Sequence, residues 1–356
     1  MRRLYASLRS VAESLLAAVV GFVVAGIILK AWGYSPISAY ISLFKASFTD
    51  LYGFSGALAN ATPLILTALT FAMATRAGLF NIGAEGQMYL GALAAVAASL
   101  FKLPAGLHLI VALVFAALAG VLWALIPAVL RATRGVSEVI STIMFNWISR
   151  YLAFWLVANV LVDPYRAEKT ITVLPTSRFP TLIRGTDLSY ALFLALAAAA
   201  VIYFLLWHTV TGYEMRAAGE NPFAARYGGV KSGKVIILVF LLGGITAGLA
   251  GATQSLGRPP TYAVYSGLPQ ILNLGFDGIG VAMIGRNHPL GIIFAAIFYG
   301  GLQSGARVMQ LFAKIPLEMV RVVQGVIVLA LALPELLRIF RLFRRRKLLE
   351  AKREGE

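Results

Sequence analysis

The chain has 356 residues, 59% hydrophobic and 13% charged, with a formal net charge of +16 and a mean hydropathy of +0.81. A soluble domain carries about 25% charged residues, so the one ordinary class that fits is an all-α, polytopic integral membrane protein. The chain has no Cys, which removes disulfides and thiolate chemistry.

A spanning helix needs about 20 mostly apolar residues. Ten stretches are candidates: 11–32, 56–75, 79–101, 107–130, 136–162, 187–208, 234–254, 267–285, 288–311 and 316–340. The apolar run from Leu15 to Leu29 is long for a secretory signal and leads into further membrane segments, so it is read as an uncleaved first span. Residues 36–55 are expected to be interfacial and outside the membrane. The third and eighth stretches are weak because Gly and polar residues interrupt them, and the eighth has a re-entrant alternative.

Ten spans place both termini on one side. Most Lys and Arg then fall on the flanks and loops of that side, which the positive-inside rule assigns to the cytoplasm. Residues 163–186 should face outside and residues 209–233 the cytoplasm. The tail 338–356 carries Arg338, Arg341, Arg344, Arg345, Arg346, Lys347, Lys352 and Arg353 directly behind an apolar segment. That is a membrane flank touching anionic lipid, not a nucleic-acid site. No loop is long enough for a soluble domain, so residues 1–356 are read as a single transmembrane domain in the cytoplasmic membrane.

The most informative segment is Asn81-Ile-Gly-Ala-Glu85-Gly-Gln87 inside the third stretch. A carboxylate near the middle of a spanning helix costs about 2.5–3.5 kcal/mol on insertion scales. Such a cluster must lie between helices or line a polar pathway, and its glycines permit close approach and a broken helix. Glu85 thus has two readings, contact with cargo or buried hydrogen bonds that hold the break. The eighth stretch holds a comparable cluster, Gly275-Phe-Asp277-Gly-Ile-Gly280. Broken spans at corresponding places suggest two five-helix inverted repeats with the pathway between them.

In the fifth stretch, Glu138, Ser141, Thr142 and Asn146 share one helical face. They could hydrogen-bond a sugar or form an interhelical network, and Glu138 could pair with Arg134. Phe145 and Trp147 could stack on a base or pack in the ordinary way. The small-residue pairs Gly244/Gly248, Ala247/Gly251 and Gly301/Gly305 are read as helix-packing sites.

Gly228-Gly-Val-Lys-Ser-Gly233-Lys234-Val235 nearly matches a phosphate-binding loop. Val235 cannot ligand Mg²⁺, no strand precedes the motif and a span follows it, so the match is a decoy. ATP-driven transport would need an ATPase on another subunit. The spacing of His108, His208 and His288 matches no metal site, and no metal or cofactor is expected. In the 209–233 loop, Asn221-Pro222 has the form of a helix N-cap followed by Pro at the first helical position. A short helix should run from about Pro222 to Tyr227 and end at Gly228-Gly229, with Gly219 turning the chain before it. It is either a docking element for a soluble partner or a plain surface turn.

This loop resembles the coupling motif of ABC importer permeases, in which an Ala-Ala pair and a following Gly meet the ATPase; Ala224, Ala225 and Gly228 or Gly229 match. Gly78-Leu-Phe-Asn-Ile-Gly-Ala-Glu-Gly-Gln87 resembles the signature of permeases for branched-chain amino acids, ribose and nucleosides. Gly135-Val-Ser-Glu-Val-Ile-Ser-Thr-Ile-Met-Phe-Asn-Trp147, Arg216-Ala-Ala-Gly-Glu-Asn-Pro222 and Gly285-Arg-Asn-His-Pro-Leu-Gly291 are most similar to the nucleoside branch. The similarity covers about residues 55–335.

The resemblance implies a ten-span permease of the type II ABC importer kind, working with an ABC ATPase subunit. It also implies a second homologous permease (or a second copy of this one) and an extracytoplasmic substrate-binding lipoprotein. On that reading Gly219, Glu220, Asn221, Pro222, Ala224, Ala225 and Gly228 couple to the ATPase. Asn81, Glu85, Gln87, Ser141, Thr142 and Asn146 line the substrate pathway. The chain performs no chemistry, and its cargo is a nucleoside. Ribose, another sugar or a branched-chain amino acid are the alternatives within the class. An ion-coupled secondary transporter is the alternative outside it.

Overall fold

In the computed structural model the backbone is described for residues 2–316 and 318–333, and side chains for residues 16–333 except 307 and 317. The basic tail 338–356 and the end of the tenth stretch lie outside the described residues. Among the described residues, secondary structure is helical apart from a two-stranded hairpin and one 3₁₀ turn: α1 Arg2–Ala31, α2 Pro36–Phe48, α3 Leu51–Arg76, α4 Ala84–Ala98, α5 Leu107–Arg134, α6 Glu138–Asn159, β1 Val162–Asp163, β2 Arg166–Thr170, α7 Ala191–His208, α8 Val210–Glu220, α9 Pro222–Tyr227, α10 Ser232–Leu256, α11 Leu274–Ile284 and α12 Pro289–Ala313. Residues 318–333 are also helical. Among the described residues, α3, α5, α7, α10 and the first part of α12 are long and apolar enough to cross a membrane. The 22 residues of α6 give it a length of about 33 Å, which also suffices.

The chain forms two compact units, Phe48–Gly301 and the combination of Met1–Ser47 with Leu302–Glu356. In the second of these, α2 turns back along α1. The Tyr40 hydroxyl donates to the Phe22 carbonyl at 2.6 Å, and the Phe22 ring meets those of Tyr40 and Phe44 at 5.4 and 5.6 Å. Residues 36–48 therefore pack beside the first span, where the sequence reading made them an interfacial segment. Their reason is apolar packing, since Ala39 and Leu43 are buried. On the other side of α1, a Cβ at Gly21 would come within 2.8 Å of the Ala330 Cβ.

The larger unit is built around α3, whose residues from Ala57 to Ala74 are nearly all buried. A helix apolar all round belongs in the middle of a bundle. On it packs α10, which carries a stripe of small residues against α5 and α4. A Cβ at Gly248 would strike the carbonyl of Ala116, one at Gly244 would meet the Gly120 carbonyl at 2.6 Å, and one at Gly251 would strike the carbonyl of Met88. Backbones touch here because no side chain intervenes, which is how helices associate without a hydrophobic drive. These are the pairs expected from spacing, and Gly301 and Gly305 likewise lie against Phe48 and Leu43 respectively.

Two elements differ from the expected spans. The third stretch is helical only over the 15 residues of α4, and residues 78–83 are turn and irregular chain. The eighth is helical only over the 11 residues of α11, about 16 Å, too short for a hydrocarbon layer of about 30 Å. Between α10 and α11 the chain is irregular and pairs with the segment after α6. Thr170 N–H donates to Val264 O at 2.8 Å, Val173 N–H to Tyr262 O at 2.8 Å and Ser266 N–H to Glu168 O at 2.7 Å. Helical periodicity cannot see a break that exists because backbone groups find partners elsewhere.

Candidate functional site

The break before α4 is held by its own side chains, by backbone N–H groups at the start of α11 and by a side chain of α6. The Glu85 carboxylate, 2% exposed, reaches the start of α11. Its Oε1 accepts from Asn273 N–H at 2.5 Å and its Oε2 from Gly275 N–H at 2.6 Å. The Tyr89 hydroxyl, one turn on, donates to Oε1 as well. The first N–H groups of a helix have no partner within it and carry its positive dipole end, so an anion there is stabilised twice over. Asn273 sits at φ 69°, a left-handed conformation that Asn tolerates better than most residues. Gly275 is required for contact, since a Cβ would come within 2.5 Å of Glu85 Cα. Glu85 thus joins one interrupted element to the other.

Asn146 clamps the same break from α6. Its Oδ1 accepts from Gly86 N–H at 2.9 Å and its Nδ2 donates to Ile82 O at 2.9 Å. Asn81 Oδ1 accepts from Gly83 N–H at 2.9 Å and from Gln87 Nε2 at 3.5 Å. Asn81 Nδ2 and Gln87 Oε1 are buried without a partner. A Cβ on Gly243 of α10 would lie 2.9 Å from that Nδ2.

The rest of the expected polar stripe does something else. Thr142 and Ser141 return their hydroxyl protons to their own helix, at Glu138 O (2.7 Å) and Ser137 O (3.1 Å). Glu138 pairs with Arg131 Nε at 3.1 Å. The partner expected from sequence was Arg134, but the left-handed Gly135 that ends α5 presents the preceding turn instead. Phe145 packs edge-on against Trp123 at 5.2 Å, while Trp147 is 52% exposed.

The 209–233 loop contains two helices. Thr209 caps α8 through Gly212 N–H at 3.1 Å. Asn221 Oδ1 accepts from Phe223 N–H at 3.0 Å and Ala224 N–H at 3.1 Å, with Pro222 in the first turn. The short helix Pro222–Tyr227 is the one expected from the Asn-Pro signal, and Gly229 (φ 87°) turns the chain out of it. Ala225 is buried, whereas Glu220, Ala224 and Gly228 are exposed. Phe223 and Tyr227, one turn apart, are exposed beside Ala224 and enlarge the apolar surface. Their i, i+4 spacing is the sequence signal that puts them on one face of the helix.

Gly219 ties this loop to the core. A Cβ there would strike the carbonyl of Arg76, the last residue of α3. Arg76 in turn donates from Nε to Asn287 O and from Nη2 to Arg286 O, both at 3.0 Å, and lies 5.6 Å from the Trp207 ring. Trp207 also meets His288 at 4.7 Å. Arg76 is followed at once by the irregular segment that leads to Asn81 and Glu85. One contiguous path therefore runs from α9 through α8 and the end of α3 to the break and α11.

Comparison with known proteins gives this arrangement a context. The guanosine ABC transporter permease protein NupP of Bacillus subtilis is 38% identical over 322 residues, 89% of this chain and 92% of that one. The nucleoside ABC transporter permease protein NupB of Lactococcus lactis is 34% identical over 336 residues, 91% of each chain. The glucose ABC transporter permease protein TsgB13 of Haloferax volcanii is 31% identical over 334 residues, 89% of this chain and 86% of that one. Residues 53–332 match the family described as branched-chain amino acid transport system / permease component. With several apolar helices behind that match, this multi-pass membrane protein belongs to the branched-chain amino acid transport system permease family.

Proposed function

We propose that the chain is the permease subunit through which an ABC importer moves nucleosides into the cell. A separate ATPase subunit docks on the 209–233 loop, a second permease completes the conduit and an extracytoplasmic binding protein delivers the cargo. The nucleoside reading rests on relatives named for guanosine and for nucleosides at 38% and 34% identity. The relative named for glucose, at 31%, supports the second reading, a simple sugar.

The observation that carries the coupling assignment is the seating of Gly219 on the Arg76 carbonyl. A force applied to the exposed face of α9 reaches the end of α3 with no side chain to absorb it. Glu220, Asn221, Pro222, Ala224, Ala225 and Gly228 form or support that face. Asn81, Glu85, Gln87 and Asn146 hold the break that responds, so they shape the pathway through backbone geometry, while Ser141 and Thr142 lie on the same face of α6 with their hydroxyls bonded within the helix.

Reconstitution of the assembled transporter tests this. ATP-dependent uptake of guanosine or uridine, with no uptake of glucose and no dependence on a proton or sodium gradient, is the expected result. Glucose uptake alone selects the second reading. Ala224→Arg, at an exposed position, should leave the permease folded and abolish ATP-driven uptake. Normal uptake by that variant would remove the docking assignment.

A further inference from the structure

Gly285-Arg-Asn-His-Pro-Leu-Gly291 is one of the stretches most similar to the nucleoside branch, and neither the docking loop nor the break before α4 accounts for it. It reverses the chain between α11 and α12. Backbones touch across the reversal, since a Cβ on Gly285 would meet Ile292 N at 2.6 Å and one on Gly291 would strike the Gly285 carbonyl. Between these glycines Arg286 and Asn287 both take left-handed backbone, at φ 55° and 51°. Residues other than Gly rarely do so, and Arg lacks the short polar side chain that eases it for Asn. Asn287 is 2% exposed, and its Oδ1 is buried without a partner.

Strain of this kind persists only where the surroundings hold it. The holding group is Arg76. Its guanidinium donates to both carbonyls of the left-handed pair, from Nε to Asn287 O and from Nη2 to Arg286 O, each at 3.0 Å. These donors form one edge of a planar, rigid fork, so the two carbonyls are fixed to the end of α3 as well as to each other. The Trp207 ring of α7 stands 5.6 Å from the same guanidinium. Further along α3, Thr67 Oγ1 is 3.1 Å from Leu274 O, and a Cβ on Gly278 would come within 2.8 Å of Thr67 Cβ. Thus α3 grips α11 at its first turn and again just past its last. The strained turn is the joint by which α11 continues into α12.

We propose that Arg76 is the positioning residue that transmits movement of the docking loop to α11. Its fork holds the Arg286–Asn287 turn in the strained form, and displacement of α8, which bears on the Arg76 carbonyl through Gly219, releases or restores that hold. A costly backbone form kept by two hydrogen bonds gives way to another when those bonds are moved, which is the bistable element that a coupled transition needs. The inference rests on the docking reading and adds to it the residue and the joint through which the loop acts.

The test measures ATP hydrolysed and guanosine taken up by the reconstituted complex, alongside its melting temperature and its retention of the ATPase. Arg76→Lys keeps the charge but not the fork. It should leave ATP hydrolysis within about twofold of wild type and lower uptake about tenfold, a loss of the size of ordinary coupling between sites. More ATP is then hydrolysed for each guanosine carried. In that background Asn287→Gly, which takes positive φ freely and removes the orphan amide, should restore part of the uptake. A folded Arg76→Lys complex with the wild-type ratio of ATP to guanosine would overturn the proposal. So would hydrolysis and uptake that fall together with melting temperature or ATPase retention, because Arg76 would then be a structural tie. A double variant no better than Arg76→Lys alone would refute the strained turn as the joint. Normal uptake by Ala224→Arg would instead refute the docking reading on which the proposal stands.

Discussion

Glu85 shows how a costly residue is kept in a membrane protein. Its two oxygens take up two backbone N–H groups at the start of α11 and one phenol, so the carboxylate and the orphan donors satisfy one another. Glu85→Ala leaves three donors without an acceptor, at a cost of about 1–3 kcal/mol each. The expected result is a clear drop in detergent melting temperature together with loss of uptake. Wild-type stability with uptake lost would return Glu85 to direct cargo contact. Asn146→Ala strands Gly86 N–H and Ile82 O and should destabilise in the same way. Sequence made the cost of Asn81, Glu85, Gln87 and Asn146 legible, because residue type and apolar context suffice for that. It could not name their partners. The backbone partners of Glu85 lie 188 and 190 positions away, and nothing local encodes such a pairing.

Elements were legible in proportion to how local their causes are. The limits of α9 could be read from Asn221, Pro222 and the glycine pair because a cap acts within one turn. Asn221→Ala should cost about 1 kcal/mol of helix stability. Amide exchange at Ala224 to Tyr227 would show it as faster opening there and unchanged protection in α10. The short extent of α11 and the fold-back of α2 were not readable, since both depend on surfaces supplied by distant chain.

The hairpin after α6 belongs to the same class, and it carries a pH signature. Asp163 Oδ1 accepts from Tyr165 N–H at 2.9 Å and Oδ2 lies 3.5 Å from Lys169 Nζ. The backbone hydrogen bond, chiefly, and the ammonium hold its carboxyl below its ordinary value of 3.8. A depressed native value means that the contribution is present above the unfolded-state value and disappears as pH falls through the native one. Protease protection of residues 162–170 should therefore be flat from neutral pH down to about 5 and weaken only below the ordinary carboxylate range. Loosening near pH 6 would show that another group governs the hairpin.

At the scale of the whole molecule, the orientation of the larger unit decides whether the coupling path can work. The C-terminal end of α6 leads into the hairpin, and α7 begins at that same end, where Ser189 Oγ donates to Gly257 O at 2.6 Å. The 18 residues of α7 then carry the chain about 27 Å to α8 and α9. The hairpin and the capped loop are thus on opposite ends of the bundle, and an ATPase in the cytoplasm can reach only one of them. The distribution of Lys and Arg carries the expectation that α9 faces the cytoplasm. A chain without native Cys allows a clean measurement at Tyr165 and Tyr227, which are 96% and 91% exposed and so tolerate replacement. Tyr165→Cys should react with an impermeant maleimide on intact cells, and Tyr227→Cys only after the membrane is opened. The reverse pattern would place Phe223, Ala224 and Tyr227 outside. The contact of Gly219 with Arg76 would then be helix packing alone, with no ATPase able to act through it.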